Sequence, residues 1–157
     1  MGISVFFFIT WLICTFFAVI EKKLSLIENT FIFLLVLVIN INYSWIIIEE
    51  LKRITLTTNG LEFTAYLLHR SIMTPMLAIT ILNMVCAAHE RGKSILYFVV
   101  FLALSFGISL LQEYFHITVY THWDFRYDLI YYFVLYLIAY YAYKLFRRAT
   151  YNEVENV

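Results

Sequence analysis

In Gln112-Glu113-Tyr114-Phe115-His116 a carboxylate and an imidazole stand three residues apart, a spacing that puts two side chains on one face of a helix. Glu113-x-x-His116 is also the pair that carboxylate-bridged metal sites in helix bundles use. Those sites need two such pairs and further glutamates, and this chain has one pair. Glu113, His116 and His122 together offer ligands for a single metal, but an ion pair or an interfacial anchor is the expected use, and no metal is expected. Upstream, His69, Met73, Met76, Thr80, Asn83 and Ala87 recur at the spacing of one helix face, with Arg70 about 100° round from His69. A carboxylate and a guanidinium in apolar surroundings must pair or be neutralised. Glu113 and Arg70 are therefore expected to be partners, with His69 beside them. Glu113, His116, Arg70, His69 and Asn83 make up the candidate polar site, suited to relaying a proton or binding a cation. The plainer account of the same residues is hydrogen bonding between helices, plus one arginine whose stem reaches the headgroups.

Other polar groups have simpler readings. Pro75 removes one backbone donor and is expected to kink its helix and free the carbonyl of Ser71. Tyr132, Tyr136, Tyr140 and Tyr143 form a stripe, which reads as a helix–helix interface within the chain or with another protein, since each hydroxyl needs a partner at membrane depth. Asn29, Asn40 and Ser44 make a thinner polar face. Tyr120 to Arg126 reads as an aromatic belt with Asp124 capping the next helix and Asp128 favouring its N-terminus. No Walker, nucleophile-elbow or C-x-x-C motif is present. His89-Glu90 begins like a zinc-protease motif, but Lys93 stands where the second histidine belongs. No cofactor is expected.

The elements that position these residues follow from composition. The chain has 157 residues, 63% hydrophobic and 14% charged, where a soluble domain is closer to half apolar and a quarter charged. One Pro and four Gly exclude a linker-rich or disordered chain. Cys14 and Cys86 both lie in apolar runs and read as small buried hydrophobes. Five windows are long and apolar enough to span a bilayer: Ile3–Ile20, Phe31–Ile48, Thr64–Ala88, Ile95–Tyr114 and Tyr127–Leu145. Their apolar runs do not alternate, so a β-barrel does not fit. The fold expected is an all-α polytopic membrane bundle of five helices. Residues 1–148 form one transmembrane domain, and Ala149–Val157 is a short cytoplasmic polar tail. Ile54, Leu56 and Leu61, in the long connection Glu49–Phe63, are expected at the membrane interface.

Orientation follows from the positive-inside rule. Lys22, Lys23, Arg91, Lys93, Lys144, Arg147 and Arg148 fall on one side; Lys52, Arg53 and Arg126 fall on the other. The expected orientation is N-out and C-in. The first positive side chains follow the first span, which reads as a retained anchor rather than a signal peptide. Eleven basic against eleven acidic residues give no net charge and no sign of a nucleic-acid partner.

Several stretches taken together resemble a known pattern: Leu24-Ser25-Leu26-Ile27-Glu28-Asn29-Thr30, Arg70-Ser71-Ile72-Met73-Thr74-Pro75, Lys93, and Glu113 followed by Tyr120-x-x-Trp123. The chain resembles an uncharacterised family of small multi-pass membrane proteins of Bacillus-like and Clostridium-like bacteria, over roughly residues 24–148. The resemblance implies a bacterial plasma-membrane location and a multi-helix fold, and it implies no activity. The function expected is that of a non-enzymatic subunit or accessory partner, embedded in lipid and associated with another membrane protein or a second copy. The alternative is a proton or solute pathway, or a membrane enzyme, built on the buried Glu/His/Arg site.

Overall fold

The computed structural model describes residues 2–88 and 90–155. Five helices are long and apolar enough to cross a membrane. They are α1 (Gly2–Val19), α2 (Leu26–Glu50), α3 (Gly60–Ala87), α4 (Arg91–Tyr114) and α5 (Phe125–Glu155). Each runs antiparallel to the one before it, because every connection is short. Helices suit lipid because each satisfies its own backbone polar groups. Their side-chain hydroxyls do the same: Thr10, Thr30, Thr64 and Thr80 each donate to the carbonyl four residues earlier. His89, the first residue of the zinc-protease comparison, lies outside the described residues.

Helix starts are set by caps that extend beyond the apolar windows. Ser25 caps α2 in a reciprocal capping box. Its hydroxyl accepts from the Glu28 N–H at 3.2 Å, and the Glu28 carboxylate accepts from the Ser25 N–H at 2.7 Å. Asn59 caps α3 by accepting from the Leu61 N–H at 3.0 Å. Asp124 caps α5 as expected, accepting from the Arg126 N–H at 3.0 Å. The tail expected from Ala149 continues α5 as far as Glu155, and Asn156 and Val157 lie outside the described residues.

At one end of the bundle two short strands, β1 (Ile54–Leu56) and β2 (Thr118–Tyr120), pair antiparallel, with Ile54 opposite Tyr120 and Leu56 opposite Thr118. We call this the ribbon end. Residues paired across a ribbon share a face and successive residues alternate. Thr118 is buried and Val119 and Thr55 are exposed, so Ile54, Leu56, Thr118 and Tyr120 face the bundle. Ile54 and Leu56 thus form the underside of a roof rather than lying along the interface, whereas Leu61 is exposed.

α3 is the central helix and packs against all four others. Residues Leu77 to Asn83 are buried in an unbroken run, so no single stripe describes it. Within that run the core is apolar: Leu77, Ala78 and Leu82 of α3 join Phe101 of α4 and Leu135 of α5 in one cluster. On α1, Phe7, Phe8, Trp11 and Phe16 point outward, as a lipid-facing surface requires.

Candidate functional site

Under the ribbon lies a cavity of about 60 Å3. All four helices α2 to α5 and both strands contribute to its wall, and the side chains are mostly polar. Those that matter most are Tyr66, His69 and Arg70 of α3, Gln112 of α4, Thr118 of β2 and Asp128 of α5. By the measure in which one water needs roughly 10–15 Å3, the chamber holds about four waters or one small polyatomic ion.

α3 reaches the chamber through a π-helical turn, His69–Met73, placed just before Pro75. The expected kink takes this form. In π register the Thr74 N–H bonds to the His69 carbonyl, so the N–H missing at Pro75 leaves the Arg70 carbonyl, not that of Ser71, without its helical donor. Asn40 of α2 replaces that donor, its Nδ2 lying 2.6 Å from the Arg70 carbonyl. Asn40 Oδ1 in turn accepts from the Tyr131 hydroxyl of α5 at 2.6 Å, and Tyr131 stacks on Tyr43 at 3.6 Å. The result turns the Arg70 side chain inward, over the Tyr66 ring at 5.4 Å, with its Nε buried. Arg70 is therefore not an anchor reaching for headgroups.

Asp128 forms the far wall and is 7% exposed. It accepts from the Tyr120 hydroxyl at 2.5 Å and from Trp123 Nε1 at 2.9 Å. Burial, and next the adjacent Asp128 carboxylate, push the Tyr120 hydroxyl above its usual ionisation range. Asp128 is more than a helix-terminus carboxylate, because it sits four residues before Tyr132 on the tyrosine stripe. That spacing was the available sign that it faces inward. Tyr132 meets Ser109 at 2.9 Å and His69 Nε2 at 3.4 Å, and His69 has a further neighbour in Thr74 at 3.4 Å. Among the described residues no carboxylate orients His69, so there is no acid–base dyad.

The other predicted residues go elsewhere. α4 ends at Tyr114, where its apolar window ends. The Ile117 N–H bonds to the Gln112 carbonyl and the His116 N–H to the Glu113 carbonyl, both at 2.9 Å, with His116 in the left-handed region at φ 53°. This is a Schellman ending with His in the place glycine usually takes. It leaves Glu113 in the last turn, half-buried, and His116 exposed. Arg70 and Glu113 form no ion pair, and Glu113 and His116 do not line the chamber. His122 is exposed, and among the described residues no three His, Cys, Asp or Glu side chains gather closely enough to hold a metal.

Asn83 is also remote. Fourteen residues separate it from His69, about 21 Å of helix. Fully buried, it donates to Asn29 Oδ1 at 2.7 Å and to the Ile79 carbonyl at 2.8 Å. It accepts from the Lys23 and Leu24 N–H groups at 2.9 and 3.0 Å. All its bonding capacity goes to clamping the α1–α2 connection, so it has nothing left to offer a ligand. The tyrosine stripe is likewise used internally, with Tyr132, Tyr136 and Tyr143 buried inside the bundle.

What distinguishes the chamber is its surplus of donors. Arg70 Nε, Gln112 Nε2, Tyr66 Oη and Thr118 Oγ1 are all buried, line the same cavity and lack a hydrogen-bond partner. The Tyr66 hydroxyl faces Ser44 and the Arg70 guanidinium without reaching bonding geometry with either. The one carboxylate in the wall is already bonded to Tyr120 and Trp123. An acceptor-rich guest fits such a wall. No family model, no curated protein and no solved structure matches this chain.

Proposed function

We propose that this chain is a bacterial plasma-membrane protein, inserted with its N-terminus outside and its C-terminus inside, that binds a small monovalent oxyanion in the ribbon-end chamber without transforming it. The observation that carries this reading is the convergence of four unpartnered buried donors, one of them a guanidinium, on a single small cavity. A buried polar group left without a partner costs roughly 1–3 kcal/mol, so four such groups in one place favour a resident acceptor. Arg70 in the wall has no carboxylate within ion-pair distance, so its guanidinium is the charge that meets the anion. The donors outnumber the nucleophiles and bases, which supports binding rather than catalysis, and the protein serves as a binding subunit or accessory partner.

A path for protons or solutes across the membrane draws less support. The chamber and the Asn83 cluster sit at opposite ends, and the layer containing Leu77, Leu82, Phe101 and Leu135 between them is apolar and closely packed. Tyr132, Tyr136 and Tyr143 of the tyrosine stripe are largely buried by the chain's own helices, so the stripe gives little support to a partner protein.

The test is titration of the purified full-length protein with formate, nitrate, bicarbonate and phosphate, read by thermal unfolding and by intrinsic fluorescence. At least one small monovalent anion should give saturable stabilisation, lost in Gln112→Leu and in Arg70→Gln. Indifference of the wild-type protein to the whole panel would remove the proposal.

A further inference from the structure

The opposite end of the bundle carries a second cavity, independent of the chamber and of the function proposed for it. Between the first turns of α4 and the C-terminal half of α5 runs a groove of about 550 Å3, within the roughly 300–1,000 Å3 range of sites that hold organic ligands. Its inner wall is built of Phe98 from α4 with Tyr136 and Leu137 from α5, and its mouth carries Arg91 and Lys144. Phe98 lies seven residues beyond Arg91, about 10 Å along the helix, and Tyr136 lies eight before Lys144, about 12 Å. The groove is thus cationic at one end and largely aromatic and apolar for about 10–12 Å beyond it, room for the first half of an acyl chain.

Among the described residues no Asp or Glu lines the groove, and neither Arg91 nor Lys144 has a carboxylate within ion-pair distance. Lys144 rests over the Tyr140 ring at 4.5 Å, and both cations are exposed. A neutral lipid fills the apolar part and leaves both charges unanswered. A soluble anion answers the charges and leaves the aromatic wall empty. We infer that this groove binds one anionic phospholipid, its phosphate between Arg91 and Lys144 and an acyl chain against Phe98, Tyr136 and Leu137. Basic pockets between transmembrane helices recognise anionic headgroups in this way.

Cys86 of α3 opens onto the same groove, and Cys14→Ser leaves it as the one thiol in the chain. The rate of Cys86 alkylation by N-ethylmaleimide is measured in neutral detergent micelles doped with dioleoylphosphatidylglycerol or with dioleoylphosphatidylcholine. Phosphatidylglycerol should protect the thiol at a concentration about thirtyfold lower, from two basic residues each acting at the strength typical near an anionic surface. Arg91→Gln with Lys144→Gln should bring the two lipids to the same curve. Equal protection by both lipids in the wild-type groove overturns the inference, as does a preference that survives loss of both charges. So does protection that depends on protein concentration and not on lipid, which would mean that a second copy occupies the groove. If the double variant does not fold, Leu137→Trp fills the groove with both cations in place. It should abolish the phosphatidylglycerol advantage, and persistence of that advantage overturns the inference equally.

Discussion

Replacing Asn83 by Ala tests the assignment of that residue to architecture rather than to a site. The substitution removes a side chain that bonds Asn29 Oδ1, the Ile79 carbonyl, and the N–H groups of Lys23 and Leu24. The Ile79 carbonyl keeps its helical donor, so its loss counts for little. Leu24 and Asn29 are 4% and 6% exposed, so their groups remain buried without a partner. At about 1 kcal/mol each, the lower end for an orphaned polar group, these two cost about 2 kcal/mol. The Lys23 N–H is near enough to the surface for water to replace part of its bond. Three lost bonds at the membrane-protein average of about 0.6 kcal/mol also sum to about 2 kcal/mol, so the two routes agree on about 2 kcal/mol. The assay is reversible unfolding of the full-length protein in mixed detergent micelles, followed by tryptophan fluorescence. Tryptic cleavage after Lys22 and Lys23 should rise about thirtyfold in parallel if the loop opens locally. Asn29→Ala alone should cost about 1 kcal/mol, and the double variant less than the sum, because both residues serve one network. A cost for Asn83→Ala below about 0.5 kcal/mol, with unchanged cleavage, would refute the clamp and return Asn83 to the pool of ligand-binding residues.

Tyr120→Phe bears on pH. The hydroxyl is held above its usual range first by burial and then by Asp128, so the folded state keeps a proton that the unfolded chain releases near pH ~10. Its contribution is full below that value and falls as pH rises beyond it; the wild-type protein should lose stability above about pH 10, and the variant should show a shallower alkaline slope in thermal unfolding. His116→Gly should be tolerated or raise stability by up to about 1 kcal/mol in the same unfolding assay, because φ is 53° there, while the β-branched His116→Val should lower it. Glu113→Gln should leave anion binding unchanged in calorimetry, since Glu113 lies outside the chamber wall; a large loss would show that the carboxylate reaches the guest after all.

The sequence made some of this legible and not the rest, for physical reasons. Long uncharged windows identified the five spans because crossing lipid demands them. The starts of α2 and α3 were set too late, although Ser25-x-x-Glu28 is a readable capping box and Asn59 a readable cap. Three-residue strands are too short for alternation to register, so the ribbon stayed hidden inside what looked like loops. The supposed partnership of Glu113 and Arg70 failed at one torsion. His116 in the left-handed region ends α4 just past Glu113, and nothing in the residue type announces it. His69 and Arg70 were found because charge inside an apolar window is conspicuous. Gln112 stands out only as a neighbour of Glu113, and Thr118 and Tyr66 do not stand out at all, because a neutral donor becomes informative only when its partner is seen to be missing.

Pro75 shows how a local signal and a tertiary one combine. Proline guarantees one orphaned carbonyl, and the π turn decides that it belongs to Arg70 rather than Ser71. An orphaned carbonyl in lipid is costly, so the turn persists only because Asn40 donates to it, and Asn40 is itself fixed by Tyr131. The backbone of Arg70 is therefore held by α2 and α5 while its guanidinium faces the chamber that both helices also line. Neither Asn40 nor Tyr131 touches the guanidinium's free Nε, which leaves that donor available without loosening the turn that presents it. A half-buried cation is tolerable on such terms because its position is over-determined from the backbone side and its charge is left to be met from the cavity side.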